Sequence, residues 1–148
     1  MNLDTLGKRL AIEEGDRLVA YLDSKGILTV GRGHNCIAKP LWNVKQPGDR
    51  ISPEQDQQLF QADVQDACVQ LDYYLSWWRD LDDNRQNVML DLCFNMGIHT
   101  LVMFHDTLEA VRTQRWDDAA AGMAHSVWAK QVGSRASFLE NAMRTGVY

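Results

Sequence analysis

The chain has 148 residues, of which 45% are hydrophobic and 24% charged, and its 15 Lys and Arg against 20 Asp and Glu give a net charge of −5. This length favours one domain with its own core, and the balanced composition excludes a disordered or collagen-like chain. The acidic balance argues against a general nucleic-acid binder, which needs a basic footprint. No stretch approaches the roughly 18 apolar residues of a membrane span, and the N-terminal residues form no continuous apolar export signal.

The N-terminal residues predict a helix followed by a β-hairpin. Leucines recur at helical spacing over residues 3–10, and the pattern ends at Gly15. Two β-rich runs, 18–22 and 27–30, flank a Lys25-Gly26 turn, which is typical of a hairpin. Several glycines and prolines then indicate an irregular connection.

The remainder of the chain predicts helices. Ser52 followed by Pro53 and Gln55 is a helix start with a capping box, and helical spacing continues from there to Leu71. A second buried helix ends at Gly97. Three shorter helices are expected at 107–114, 116–125 and 134–144.

These elements predict an α+β fold in a single domain, 1–148. We expect a β-hairpin lobe at about 15–51 and a helical lobe at about 52–148, with the helix 1–13 packed on the helical lobe.

Cysteine usage points to reduced, partly buried thiols. Cys36, Cys68 and Cys93 are an odd number at wide spacings, with neither a disulfide framework nor a CxxC pair. His34 and Cys36 lack a nearby second ligand pair, so no metal site is predicted. A nucleophilic Cys–His pair stays open from sequence alone.

The acids near the hairpin suggest glycoside hydrolysis. That reaction needs one carboxylic acid to protonate the leaving oxygen and a second carboxylate on the opposite face of the sugar. Glu14 ends the first predicted helix and Asp23 lies on the hairpin, so a cleft could separate them in this way. Among 20 acidic residues, spacing alone does not select this pair over a solvated one.

The surrounding sequence does select it. The segment EEGDRLVAYLDSKGILTVGRGH, residues 13–34, resembles the EG…Y.D..G..T.G.GH segment of the T-even-type phage lysozymes, glycoside hydrolase family 24. LDLCFNMG, RWDDAA, SVWAKQVGSRA and MRTG then match the helical body of that family in the same order. The resemblance covers essentially the whole chain. It implies a lysozyme-like fold with a small N-terminal β-hairpin lobe and a mostly helical C-terminal lobe around an active-site cleft.

The resemblance also implies catalytic roles. Glu14 keeps the Glu–Asp–Thr spacing of the family and would be the general acid, whereas the adjacent Glu13 is one residue out of register. Asp23 would stay ionised and help to orient a water that the Thr29 hydroxyl holds. Such a water fits an inverting displacement, for which the two carboxyl groups lie roughly 6.5–9.5 Å apart.

Other residues take supporting roles by the same resemblance. His34 could act as a base in the cleft, but a structural role is favoured because other residues already supply the acid and hold the water. His34 and Asp63 match a histidine–aspartate pair of the family, whose imidazolium form would contribute stability. Arg135 matches an arginine that faces the catalytic Glu, and it would orient Glu14 or anchor substrate. The positions that line the sugar cleft in the family correspond here to Phe94, Asn95 and Gly97.

The aromatic run 73–78 has two interpretations. Its Tyr and Trp side chains could stack on sugars, but consecutive residues cannot all face one side of a helix. Packing within the protein must therefore account for at least half of them.

The implied function is that of a muramidase endolysin, which cuts the β-1,4 bond between N-acetylmuramic acid and N-acetylglucosamine in bacterial peptidoglycan. It needs no cofactor, is expected to be a monomer without nucleic-acid binding or membrane insertion, and would leave the host cytoplasm through a separate membrane hole. A domain of a larger exported protein is equally compatible with the sequence.

Two alternative functions are those of a lytic transglycosylase and of a non-catalytic peptidoglycan-binding module. The acidic charge departs from the basic character of many such enzymes, so either Lys and Arg cluster on the cleft face or something else delivers the enzyme to the anionic wall.

Overall fold

The computed structural model describes residues 1–14 and 17–148, apart from the side chains of Glu13 and Glu14. The chain divides into two compact units. We call Asp4–Asp66 the N-terminal unit, and Met1–Leu3 with Ala67–Tyr148 the C-terminal unit.

The described residues form one small sheet and eight α-helices, which confirms the predicted α+β class. The strands are β1 (Arg17–Leu22), β2 (Leu28–Gly31) and β3 (His34–Asn35). The helices are α1 (Leu3–Glu14), α2 (Pro53–Tyr74), α3 (Asp83–Met96), α4 (Ile98–Leu101), α5 (His105–Arg112), α6 (Trp116–Ala124), α7 (Val127–Val132) and α8 (Ser134–Thr145). A 3₁₀ helix, Ser76–Asp80, follows α2.

The sheet is antiparallel, with β2 between β1 and β3. Tyr21 pairs with Thr29 across the hairpin. The N–H of Gly26 donates to the carbonyl of Asp23 at 2.9 Å, closing a tight turn in which Gly26 has φ +76°. This positive φ explains why glycine occupies the last position of a three-residue hairpin loop.

The sheet covers the hydrophobic cluster of the N-terminal unit. Every residue of β2 is buried, so this strand reads as a continuous buried run and not as an alternating one. Three partly buried leucines, Leu18, Leu41 and Leu59, pack against this cluster. Its six buried residues are Ala20, Leu28, Val30, Cys36, Val44 and Ile51.

Helix α2 begins where the capping signal predicts. The N–H of Gln55 donates to the Ser52 hydroxyl at 3.1 Å, and Pro53 is the first helical residue. Such a cap satisfies a backbone donor that the first turn otherwise leaves without a partner.

Helix α3 is the central element of the C-terminal unit. It is buried over eight consecutive residues, Gln86 to Cys93, so polar positions as well as apolar ones lie inside the protein. The Asp82 carboxylate caps its N-terminus, and Gly97 ends it as predicted. Both Gln86 and Asn87 keep backbone partners, since their side-chain amides donate to carbonyls of Leu81 and Asn2.

The three cysteines are unpaired and buried, as predicted. Burial raises the pKa of all three thiols, and that of Cys93 rises to about 11. A buried thiol with a raised pKa is a poor nucleophile at neutral pH.

Candidate active site

Asp23 shapes the hairpin turn with one carboxylate oxygen. Its Oδ1 accepts the backbone N–H groups of Lys25 and Ile27, each at 2.8 Å. Its Oδ2 accepts no hydrogen bond from the described part of the chain, and the side chain is half-buried. Oδ1 therefore stabilises the turn, while Oδ2 can accept a hydrogen bond from a molecule outside the protein.

Thr29 lies on the return strand of the hairpin whose turn begins at Asp23. Thr29 pairs with Tyr21 of β1, and Asp23 directly follows the end of that strand. The Thr29 side chain is buried, and its hydroxyl donates to the carbonyl of Ile27 at 2.9 Å. Because its only proton is used there, Oγ1 is left as an acceptor.

Glu14 is the last residue of α1, and its side chain lies outside the described residues, as does that of Glu13. Gly15 and Asp16 lie outside them altogether. The expected separation between the two carboxyl groups therefore stays a prediction.

The structure brings His34 and Asp63 into direct contact. His34 Nδ1 lies 2.8 Å from Asp63 Oδ2, and its Nε2 lies 3.0 Å from the carbonyl of Lys39. Both ring nitrogens face acceptors, which only the doubly protonated imidazolium satisfies. The Lys39 ammonium donates to Asp63 Oδ1 at 2.8 Å and pairs with Asp66 Oδ2 at 2.6 Å.

The pKa shifts follow this geometry. Burial works against the imidazolium, but the hydrogen bond and charge of Asp63 and the Lys39 carbonyl outweigh it, so the pKa of His34 is raised. Burial also works against the Asp63 carboxylate, yet the hydrogen bonds from His34 and Lys39 leave the Asp63 pKa below its usual range.

The thiol of Cys36 donates to the backbone carbonyl of His34 at 3.8 Å, and both nitrogens of the His34 ring face other partners. This arrangement is not that of a nucleophilic Cys–His pair.

A second ion pair, which the sequence analysis missed, explains why residue 31 is a glycine. The guanidinium of Arg32 donates from Nε and Nη2 to Asp56 Oδ2, at 2.9 and 2.7 Å, and lies over the Phe60 ring. Gly31 has φ +62°, and a Cβ there would lie 2.2 Å from Asp56 Oδ1. Glycine is therefore needed for both the backbone conformation and the close approach of the buried carboxylate.

The predicted sugar-cleft residues belong to the C-terminal unit, and Asn95 has the most defined environment among them. The indole N–H of Trp128 donates to Asn95 Oδ1 at 2.5 Å. Because an indole only donates, the amide oxygen must face Trp128, which leaves the Asn95 NH₂ group as a donor for a ligand. Phe94 is half-buried, and Gly97 has φ +77° at the end of α3.

Arg135 is buried against a partner that the sequence analysis did not single out. Its Nε and Nη2 donate to Asp91 Oδ1 at 2.9 and 2.8 Å, and Asp91 is fully buried on α3. The hydroxyl of Tyr148 donates to the other Asp91 oxygen at 2.7 Å. The hydrophobic spacing of α3 had drawn attention to its apolar residues, whereas the partners of Asp91 are 44 and 57 residues distant in sequence.

The described residues contain no group of three or more His, Cys, Asp or Glu side chains that could hold a metal ion. No helix within the same residues combines the length and apolar character that crossing a membrane requires.

Comparison with known proteins gives a consistent family. The chain is 24% identical over 156 residues to probable T4-type lysozyme 1 of Dictyostelium discoideum, covering 93% of this chain and 92% of that protein. It is 37% identical over 92 residues to the endolysin of Salmonella phage P22, covering 60% and 58% of the two chains. It is also 26% identical over 161 residues to the pre-baseplate central spike protein Gp5 of Enterobacteria phage T4, covering 96% of this chain but 28% of that longer protein.

The phage lysozyme family profile matches residues 11–144, which is most of the chain and includes every residue considered above as a site candidate. The chain therefore belongs to the phage lysozyme family, a family of lysozyme-type glycosidases.

Proposed function

We propose that the protein hydrolyses the β-1,4 bond between N-acetylmuramic acid and N-acetylglucosamine in bacterial peptidoglycan. The observation that carries this proposal is the pair of acceptors on the hairpin. Asp23 and Thr29 belong to one hairpin, and the side chain of each has acceptor capacity left after its structural hydrogen bonds. Membership of the phage lysozyme family supports the reaction class.

The two acceptors suit one water molecule. A water that donates one hydrogen to Asp23 and the other to Thr29 has both protons engaged, so a lone pair is left to attack the anomeric carbon. As the carbon–oxygen bond to the leaving sugar breaks, Glu14 gives its proton to the leaving oxygen. The water loses a proton to the Asp23 carboxylate as its oxygen bonds to carbon. Proton exchange with solvent then restores protonated Glu14 and ionised Asp23.

Residues of the C-terminal unit would hold the sugars. The NH₂ group of Asn95 is a donor, which suits an N-acetyl carbonyl or a hydroxyl oxygen. Phe94 and Gly97 lie beside Asn95 in the sequence and would line the same part of the site. Arg135 is a weaker candidate, because the Asp91 carboxylate already accepts hydrogen bonds from two of its nitrogens.

We further propose that the protein acts as a monomer on the wall after release from the host cytoplasm through a separate membrane hole. The charge of −5 gives no general attraction to an anionic wall, so access to the wall would depend on that release.

The direct test is clearing of chloroform-permeabilised Gram-negative cells by the wild-type chain and by Glu14→Gln. We expect clearing by the wild type and a loss of at least about 100-fold in the variant, since a general acid typically contributes that much or more. Glu13→Gln is the matched control, because it makes the same change one residue away and should clear normally. Loss of clearing in Glu13→Gln alone would mean that the acid has been assigned to the wrong residue.

Asp23→Asn separates catalysis from turn formation. The amide oxygen can still accept the N–H groups of Lys25 and Ile27, so the folded hairpin should be kept while the negative charge is lost. We expect normal thermal unfolding with activity reduced by at least about 100-fold. A folded variant with full activity would contradict the proposed role of Asp23.

Reducing-end analysis of the products distinguishes the rivals. A 1,6-anhydro product would indicate a lytic transglycosylase, and saccharide binding without turnover by the folded wild type would indicate a binding module.

A further inference from the structure

An open pocket of about 270 Å³ lies on the C-terminal unit, and its lining contains none of the residues proposed above for catalysis or substrate binding. One side consists of the aromatic segment that ends α2 and begins the 3₁₀ helix, and the other side consists of α5 and the residues before it. The lining residues that matter here are Tyr74, Trp77, His105, Glu109 and Arg112.

The aromatic side holds its rings in place but leaves them accessible. The Tyr74 ring meets the Tyr73 ring at 4.9 Å and the His99 ring at 5.7 Å, in both cases edge to face, so its orientation is restricted from two directions. Tyr74 is nevertheless 44% exposed and Tyr73 81% exposed. Large aromatic side chains this exposed do not contribute to the core.

Trp77 has an indole N–H available for a ligand. Its neighbour Trp78 is fully buried and donates its indole N–H to Asp72 at 2.7 Å. Trp77 is only half-buried and lines the pocket, and no hydrogen bond joins its indole N–H to the described part of the chain. The two adjacent tryptophans thus differ, because Trp78 packs in the core whereas Trp77 lines the pocket.

The opposite side supplies a flat polar group. Arg112 donates from Nε and Nη2 to the two oxygens of Glu109, at 2.8 and 2.6 Å. This bidentate contact makes the pair planar and neutral overall. Arg112 Nη1 has no partner among the described residues, and the Glu109 oxygens retain acceptor capacity, so the pair offers a donor beside acceptors.

We propose that this pocket is a non-catalytic saccharide-binding site for one N-acetylhexosamine residue of a glycan strand, a proposal that rests on the proposed function. An apolar sugar face would lie on Tyr74 and Trp77, and its hydroxyls would bond to Glu109 and Arg112. Most small-ligand pockets occupy about 300–1,000 Å³, so 270 Å³ suits a single sugar unit. The neutral Glu109–Arg112 pair favours an uncharged ring over an acidic peptide stem. Such a site would hold the enzyme on its polymer between cleavage events.

The experiment is a titration of the full chain, labelled with ¹⁵N-tryptophan, with the N-acetylglucosamine trisaccharide. The Trp77 indole signal is assigned by its absence in Trp77→Phe. We expect this signal to move saturably on titration. Arg112→Gln should weaken the binding measured at this signal by about 3–10-fold, the effect of one lost hydrogen bond. Arg115→Gln is the matched control, because Arg115 forms an equivalent exposed i,i+3 pair with Asp118 but does not line the pocket.

Failure of this proposal is distinguishable from failure of the proposed function. The indole titration measures binding and requires no bond cleavage, whereas the clearing assay measures cleavage and does not require binding at the pocket. A Trp77 signal that stays still at millimolar trisaccharide would overturn the proposal, as would equal weakening by Arg115→Gln. Equal movement with an isolated peptidoglycan stem peptide would overturn the assignment to a sugar.

Discussion

Two buried ion pairs, His34–Asp63 in the N-terminal unit and Arg135–Asp91 in the C-terminal unit, differ in the chemistry of their cations. In the N-terminal unit the cation is His34, whose charge depends on pH in the physiological range. In the C-terminal unit it is Arg135, which stays protonated throughout that range. A buried ion pair can therefore give a pH-dependent contribution to stability, as at His34–Asp63, or one that is constant over the physiological range, as at Arg135–Asp91.

The largest effect on stability is expected from breaking the Arg135–Asp91 pair. Arg135→Met leaves the Asp91 carboxylate buried without its cation, which should lower the free energy of unfolding by about 3–5 kcal/mol. Adding Asp91→Leu removes the stranded charge, so the double variant should recover much of that loss. Urea unfolding followed by circular dichroism measures both. A double variant no more stable than Arg135→Met alone would show that packing, and not the uncompensated charge, causes the loss.

A smaller and pH-dependent effect is expected from Asp63→Asn. Because the pKa of His34 is raised in the folded protein, its contribution is complete below about pH 6.5 and is lost as pH rises through the folded pKa. The lowered pKa of Asp63 gives a contribution that is present above about pH 3.8 and lost as pH falls. The pair therefore contributes most between those two values.

At pH 5, Asp63→Asn should cost about 2 kcal/mol of unfolding free energy, the effect of losing a hydrogen bond between charged groups. The difference from wild type should shrink toward pH 9, as the pH rises through the raised pKa of His34 and the ring loses its second proton. Urea midpoints at both pH values measure this, with Asp66→Asn as the control, since Asp66 contacts Lys39 and is more exposed. A difference that is the same at pH 5 and pH 9 would contradict an imidazolium at His34.

The smallest effect on stability is expected from Arg112→Gln. The Glu109–Arg112 pair is exposed, and such pairs contribute little because solvent screens them and both side chains lose freedom. We expect an unchanged urea midpoint together with weaker saccharide binding at the pocket. A clear fall in the midpoint would mean that the pair stabilises α5. The loss of saccharide affinity would then have to be separated from the loss of stability.

Much of the fold could be predicted from the sequence, because α1, α2, α3 and the hairpin carry strong local signals. Helical spacing, the Ser52 cap and the Lys25-Gly26 turn all act within a few residues of the structures they specify. Strand β3 has two residues and α4 has four, which is too short for any periodicity to show. Helix α5 begins at His105, two residues before the predicted start, with no side-chain cap to mark it.

The candidate site was predictable in its local parts and less so in its distant ones. Asp23 and Thr29 lie on one hairpin, so their closeness follows from local strand pairing. The contact between His34 and Asp63 spans 29 residues and was expected only through family resemblance. The contacts of Asp91 with Arg135 and of Asn95 with Trp128 were missed, because hydrophobic periodicity does not identify polar residues that are buried with distant partners.

The most direct test of the catalytic account is the configuration of the first product released from uncross-linked peptidoglycan glycan strands, observed by ¹H NMR before mutarotation. A water held by Asp23 and Thr29 on the face opposite the leaving group inverts the anomeric carbon, so the account predicts that the α-anomer appears first. Initial release of the β-anomer would contradict it, because retention requires a carboxylate to attack the sugar directly.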